Sequence, residues 1–224
     1  MKKNIGIVIF VLVVLVGGWY MMSANKNMES PANNENEQVV VNESATTGEK
    51  VLVVVGAESK ATYEINEDLK GKRTHVTGTS QALTGTISLD SVTNKIIGGE
   101  VKLDAASFKT DIAARDGNVK TLVLKADQPG NESIMFTATS VTGLPDIMEM
   151  DKDFAVKVMG NMTISGVTKP VSFDGMAKLA ADGTARIKAS TVLAYADFGV
   201  AIPDFPFLAN IDKTVKLTVE LIAR

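Results

Sequence analysis

Few side chains in this 224-residue sequence are equipped for catalysis. His75 is the only histidine, and cysteine is absent altogether. A Ser-His-Asp site would have to be built on His75, and the G-x-S-x-G turn that exposes a nucleophilic serine does not occur. A lone histidine in Lys72-Arg73-Thr74-His75-Val76, at the start of a strand, reads as a surface or hydrogen-bonded residue. Without cysteine there is no thiolate nucleophile, disulfide or thiolate-bound zinc, and one histidine cannot make a His cluster. No Gly-rich phosphate loop joins a strand to a helix. Asp111 and Asp116 are five positions apart and would point in different directions on a helix. The expectation is a protein that is not an enzyme, with no catalytic residues, no metal and no cofactor other than a bound ligand.

Two groups of residues suit binding instead. Arg115-Asp116 lies in 110–125, TDIAARDGNVKTLVLK. It reads either as a local ion pair that pins a helix to a rim, or as a place where Arg115, with Lys109 or Lys120, meets an anionic head group such as a pyrophosphate. The second group is 198–208, FGVAIPDFPFL, where Pro203 and Pro206 rule out a regular strand while Phe198, Phe205 and Phe207 need an apolar surface. That loop is either a lid over a core or the entrance for an apolar ligand.

The elements that would position these groups are strands. In the stretch 160–173, GNMTISGVTKPVSF, the segments 161–165 and 167–173 meet at a tight Gly-containing turn, which signals a β-hairpin. After a β-branched run at 51–55, the same one-sided alternation runs through 61–65, 84–90, 101–105, 134–138, 154–158, 185–189 and 217–221. Period 2 at this regularity predicts antiparallel strands with one wet face. The inward set is Ile87, Leu89, Leu103, Ile134, Phe136, Phe154, Val156, Val171, Phe173, Ile187, Leu217 and Val219. Small residues on that side (Ala138, Ala177, Ala189) would leave room for a chain. Only 110–125 has near-helical spacing, through Ile112, Val119, Leu122 and Val123, with Thr110 or Asp111 as cap and Gly117 predicting a short or broken helix. The segment 144–153 reads as a loop. About eight strands with one helical insertion call for a closed barrel or a sandwich, because an open sheet leaves exposed edges.

Composition and address agree with an exported binding domain. The chain is 45% hydrophobic and 22% charged with a net charge of -3, so it lacks the bulk positive charge that a nucleic-acid partner requires. Lys2 and Lys3 precede an uncharged apolar run over 5–22, with Trp19 and Tyr20 where an interfacial aromatic belt would lie. A membrane anchor needs roughly 17–25 apolar residues, and a cleaved signal needs a short apolar core followed by small residues. The run fits either a retained anchor or a signal cut after Ala24. Residues 1–22 are thus a membrane anchor or signal peptide. Residues 23–48, rich in Asn, Glu, Ser and Thr, form a flexible polar linker, and 49–224 form one domain. A bacterial cytoplasmic membrane with the domain on its outer side is the expected location, or the periplasm if the signal is cut. A homodimer is left open.

The order of motifs resembles the YceI-like family. It rests on Arg115-Asp116 in 110–120, the strand 134–140, GNMTISGVTKP at 160–170 against a family pattern G-x-L-T-I-x-G-V-T-K/R-P, Asp197-Phe198-Gly199, and the strand 213–223. The aromatic segment that follows the helix in the family is missing from 123–133. The resemblance implies an all-β, antiparallel lipocalin-like barrel with a short helical insertion, and a polyisoprenoid or other apolar lipid as ligand. The cavity would be lined by Phe108, Ile112, Arg115, Leu122, Ile134, Phe136, Phe154, Val156, Phe173, Phe198, Phe205 and Phe207. The rival expectation is a structural or interaction module whose core those same side chains fill, because strand parity does not separate a filled core from a lined tunnel.

Overall fold

The computed structural model describes residues 48–224. The expected anchor or signal at 1–22, and all of the expected linker except Gly48, lie outside the described residues. Among the described residues no helix is long and apolar enough to cross a membrane.

The strands are β1 (Glu49–Val53), β2 (Lys60–Leu69), β3 (Lys72–Ser80), β4 (Leu83–Asp90), β5 (Ile96–Asp104), β6 (Ser133–Thr142), β7 (Phe154–Ile164), β8 (Val167–Leu179), β9 (Ala185–Ala194), β10 (Leu208–Ala209) and β11 (Thr214–Ala223). One helix, α1 (Ala113–Asn118), continues into a π-helical turn at Val119–Val123. All strands belong to a single antiparallel sheet ordered β1-β4-β5-β6-β7-β8-β9-β11-β2-β10, with β3 on the free side of β2.

The first four strands form one long bent hairpin. β1 pairs with β4, and β2 pairs with β3. The bend falls at a 3-10 turn, Gly56–Glu58, where a β-carbon on Gly56 would stand 2.4 Å from the Leu83 carbonyl oxygen. No other residue fits there without moving the backbone. Ser59, fully buried beside the bend, accepts a hydrogen bond from the Ile222 amide (3.0 Å) and so ties the hairpin to β11. The end of β1 then meets the end of β11. The Val53 amide donates to the Arg224 carbonyl (2.6 Å), the Arg224 amide donates to the Val53 carbonyl (3.0 Å), and Val54 bridges Ala223.

The architecture is therefore a curled half-barrel rather than the fully closed barrel expected. The contact between β1 and β11 is one bridge long, and the only strand that β3 pairs with among the described residues is β2. The sector beside β3 is spanned by the helical insertion. Lys109 and Thr79 exchange two backbone hydrogen bonds (2.8 Å each), and at the far side the Ser165 hydroxyl donates to the Leu124 carbonyl (3.2 Å). Among the described residues eleven strands appear instead of about eight, chiefly because the hairpin counts as four.

The end of the half-barrel near the β4–β5 turn is plugged. Leu52, Val54, Leu89, Ile96, Leu179, Ala185, Leu221 and Ala223 pack there with Met148. Met148 comes from the 144–153 loop, which is anchored by its amide to the Thr93 carbonyl (2.9 Å). That loop thus contributes to the core, which its irregular sequence did not reveal.

Neither expected cap holds α1. The N-cap position is Ile112, and it makes no side-chain cap bond. Asp116 reaches back instead, and its carboxylate accepts from both the amide and the hydroxyl of Thr110 (2.8 Å each). Gly117 does not end the helix; the ladder changes to π geometry two residues later.

The β7–β8 turn is the tight hairpin read from 160–173. Ser165 (φ 47°) and Gly166 (φ 74°) both lie in the left-handed region, as a type I′ turn requires. A β-carbon on Gly166 would touch almost nothing, the nearest atom being 4.0 Å away, so only backbone conformation opposes substitution. Gly166→Ala is expected to destabilise the fold by about 1 kcal/mol, and Ser165→Gly to be near neutral. Urea unfolding of both variants checks the pair.

Candidate functional site

The interior of the half-barrel is not full. Two apolar chambers, of about 260 Å³ and about 140 Å³, lie within it. Phe108, Ile134 and Leu217 line both. The inner chamber is walled by Leu83, Ile87, Phe136, Val156, Phe173 and Leu221, and the small residues Ala138, Ala177 and Ala189 face it too. Alternation puts these side chains inside, and the alanines fail to fill the width that the sheet's curvature sets. Phe136 and Phe173 meet edge to face, with ring centroids 5.1 Å apart.

The outer chamber is bounded by β2, by the insertion and by the loop before β11. From β2 come Tyr63, Ile65, Glu67 and Leu69, every second residue of one strand face. From the insertion come Ile112, Arg115, Val119 and Val123, and from the last loop Ile202, Phe205, Phe207 and Ile211. Phe207 and Ile112, 47% and 37% exposed, mark where this chamber reaches solvent.

Nine of the twelve residues expected at the cavity line one chamber or both: Phe108, Ile112, Arg115, Ile134, Phe136, Val156, Phe173, Phe205 and Phe207. Three do not. Leu122 is 42% exposed, because the π-turn rotates it out while Val123 and Leu124 turn inward. Phe154 sits at the start of β7 and packs on the plug cluster, with the Lys152 ammonium 5.7 Å from its ring centre. Phe198 is buried among Met162, Ile164, Phe173 and Val200, where the 3-10 turn Tyr195–Phe198 holds it. The 198–208 loop thus divides. Its first residue is core packing, and its phenylalanines after Pro203, stacked with centroids 5.4 Å apart, line the outer chamber.

Arg115 does not pair with Asp116. Its guanidinium donates to Glu67 (3.0 Å) and to Asp111 (2.6 Å). Both Arg115 and Glu67 are nearly buried, so the pair fastens α1 onto β2 across the open sector. Burial opposes the charge on Arg115, but the bonds to Glu67 and Asp111 outweigh it and raise its pKa. Asp116 is occupied by Thr110 and, at 3.9 Å, by Lys109. Lys120 is exposed and lines neither chamber.

Glu67 escaped the sequence reading, although a signal was present. In Tyr63-Glu64-Ile65-Asn66-Glu67-Asp68-Leu69 it occupies the apolar parity. A carboxylate there requires a cation from another element. Tyr63, on the same parity, was also missed as a lining residue. Its ring packs edge to face on Phe108 (5.2 Å), and its buried hydroxyl has no hydrogen-bond partner. Burial pushes its phenol up to about 12.

The outer loop is strapped to the β2–β3 hairpin by polar contacts. Asn66 donates to Asp212 (2.8 Å), Asn210 donates to Asp68 (2.7 Å), and Arg73 donates to the Asn210 carbonyl (2.6 Å) and pairs with Asp68 and Asp212. His75, exposed nearby, contacts Asn66 (2.9 Å) and Glu64 (3.4 Å).

Two outcomes follow for these contacts. Removing either half of the buried pair (Glu67→Leu or Arg115→Met alone) is expected to cost ~2–3 kcal/mol by leaving an uncompensated charge, whereas the double variant regains most of it. Chemical denaturation of the three proteins measures this. The strap is expected to loosen in acid. Asp68 is held below its ordinary value of 3.8 by Asn210 and then Arg73, and Asp212 by Asn66 and then Arg73. Their contribution is complete above about pH 4 and is lost as pH falls through the depressed folded values. Hydrogen-exchange protection of 205–212, corrected for intrinsic rate, should be flat from pH 8 to 5 and fall below pH 4.

Comparison with known proteins places this architecture. Solved structures of the same fold include Burkholderia cenocepacia BcnA (17% identity, TM-score 0.55, covering 76% of this chain and 99% of that one). They also include a polyisoprenoid binding domain from Saccharophagus degradans implicated in plant cell wall breakdown (13%, TM-score 0.58, 78% and 97%). Campylobacter jejuni YceI protein is similar at 20% identity and TM-score 0.50, over 65% of this chain and 82% of that one. No curated protein matches the sequence. The model of the YceI-like domain matches residues 52–223, and the chain belongs to the YceI-like family.

Proposed function

We propose that this protein is an exported, non-enzymatic lipid-binding protein that holds a long apolar isoprenoid-type chain in the two chambers of its half-barrel. The observation that carries this reading is the unfilled apolar interior. Chambers of about 260 and 140 Å³ share Phe108, Ile134 and Leu217 in their walls and are lined almost wholly by hydrocarbon side chains. A filled module would place larger side chains where Ala138, Ala177 and Ala189 stand. A flexible chain would enter beside Phe207 and Ile112, pass Phe108, Ile134 and Leu217, and end against Leu83 and Ile87. Its affinity would come from buried apolar area, at roughly 25 cal/mol per Å². The similarity to a polyisoprenoid binding domain supports the ligand class.

The apolar run at 5–22 behind Lys2 and Lys3 supports a tether in a bacterial cytoplasmic membrane with the domain outside, or periplasmic release if that run is cut. On a tether the domain would act as carrier, store or scavenger for lipid drawn from the adjacent bilayer.

The test is to purify the protein from a bacterial host, extract it with organic solvent and identify the released lipids by mass spectrometry. An isoprenoid lipid in near-stoichiometric amount is expected. A ligand-free protein that takes up no added polyprenol would overturn the reading in favour of an interaction module. Filling the inner chamber by Ala189→Phe should leave the fold intact by circular dichroism, reduce binding of long polyprenols at least tenfold, and spare short ones that fit the outer chamber. Equal loss for all lengths would contradict the proposed path.

A further inference from the structure

We infer that the lipid this cavity takes has an uncharged polar end, such as an alcohol or a carbonyl, and that the mouth discriminates against phosphate and pyrophosphate ends. The inference rests on the lipid-binding reading above and concerns only the chemistry of the ligand's head.

The charged residues that line the outer chamber are Glu67 and Arg115. An anionic head needs donors that are free, cationic and sheltered from water. Arg115 is sheltered, but each terminal nitrogen already donates one of its N–H groups to a carboxylate, one to Glu67 and the other to Asp111. A phosphate brought to this guanidinium would have to displace a carboxylate or sit beside two of them. Repulsion between close like charges in a partly dry site would then oppose it. The neighbouring cations are not sheltered: Lys70 is exposed, the Lys109 side chain is 73% exposed, and that of Arg73 is 50% exposed and paired with Asp68 and Asp212.

The spare hydrogen-bonding capacity at the chamber is of another kind. Tyr63 lines it, and its hydroxyl is the one buried side-chain polar atom without a partner among the described residues. A neutral phenol complements an ether, hydroxyl or carbonyl oxygen and offers no charge to a phosphate. A buried group with no partner within the protein gains most when a ligand supplies one.

The experiment uses the whole 224-residue chain in lipid nanodiscs, photolabelled with a diazirine-tagged C20 prenol. Label is competed with geranylgeraniol or with geranylgeranyl pyrophosphate, which share a chain and differ at the head. In the native protein the alcohol should compete at a concentration at least tenfold lower. Freeing Arg115 should erode that preference, so Asp111→Asn and Glu67→Gln should each narrow the ratio at least fivefold by improving the pyrophosphate. Comparing variants with the native protein cancels the different partition of the two competitors into the disc. Asp111 is an exposed side chain, so its variant keeps the fold even if Glu67→Gln does not. Equal or better competition by the pyrophosphate, or a ratio unchanged in Asp111→Asn, overturns the head-group inference and leaves the lipid-binding reading standing. Failure of the probe and of both competitors to bind removes that reading and this inference with it.

Discussion

A lone sheet with one apolar face can hide that face only by curling upon itself. Here no second sheet and no long helix is available to cover it among the described residues. The curl is held by a short seam in which Val53 and Arg224 exchange backbone hydrogen bonds and Ser59 takes the Ile222 amide. Everything inside depends on that seam, because it sets how far the facing walls stand apart. Once the diameter is set by backbone geometry, side-chain size alone decides whether the interior is solid. At the plugged end Leu52, Leu89, Met148 and Leu179 meet and fill it, whereas at mid-height three alanines do not.

The same geometry explains the helical insertion. The long hairpin bends at Gly56–Glu58, so β3 continues past the part of the sheet that β5 can follow. The gap has to be covered without a strand. Chain 105–132 bridges it, attached at Thr79, at Glu67 and at Ser165. A buried Glu–Arg pair is an expensive fastening compared with apolar packing. Its placement at the edge of the outer chamber gives it a second consequence, because the guanidinium that lines that chamber already donates to carboxylates.

The strap over the mouth is built differently. Its apolar side, Phe205, Phe207, Leu208 and Ile211, faces the chamber, while its polar side is fixed by Asn, Asp and Arg on the β2–β3 hairpin. These outer contacts lie in water, where ion pairs are weak and hydrogen bonds exchange with solvent. The plug, the buried pair and the strap thus form a gradient of decreasing local stability toward the opening. On the proposed lipid-binding reading, the weakest wall stands where a chain would enter.

Strand parity was legible residue by residue: Ile87, Leu103, Phe136, Val156, Phe173 and Leu217 point inward because alternation is a local property of the chain. The turn at Ser165-Gly166 was legible for the same reason, and the order of motifs was enough to suggest the family. What could not be read was anything decided by two elements meeting. Alternation does not reveal that Leu122 turns outward on a π-turn, that Phe154 and Phe198 are spent on core packing, or that Met148 plugs one end. Nor does it reveal that Arg115 takes Glu67, 48 residues away, as its partner instead of its neighbour Asp116. The sequence by itself determined which side chains face inward. Only the tertiary structure decided that they leave a space, since an empty volume depends on the distance between walls, and that distance is set by the curl of the whole sheet.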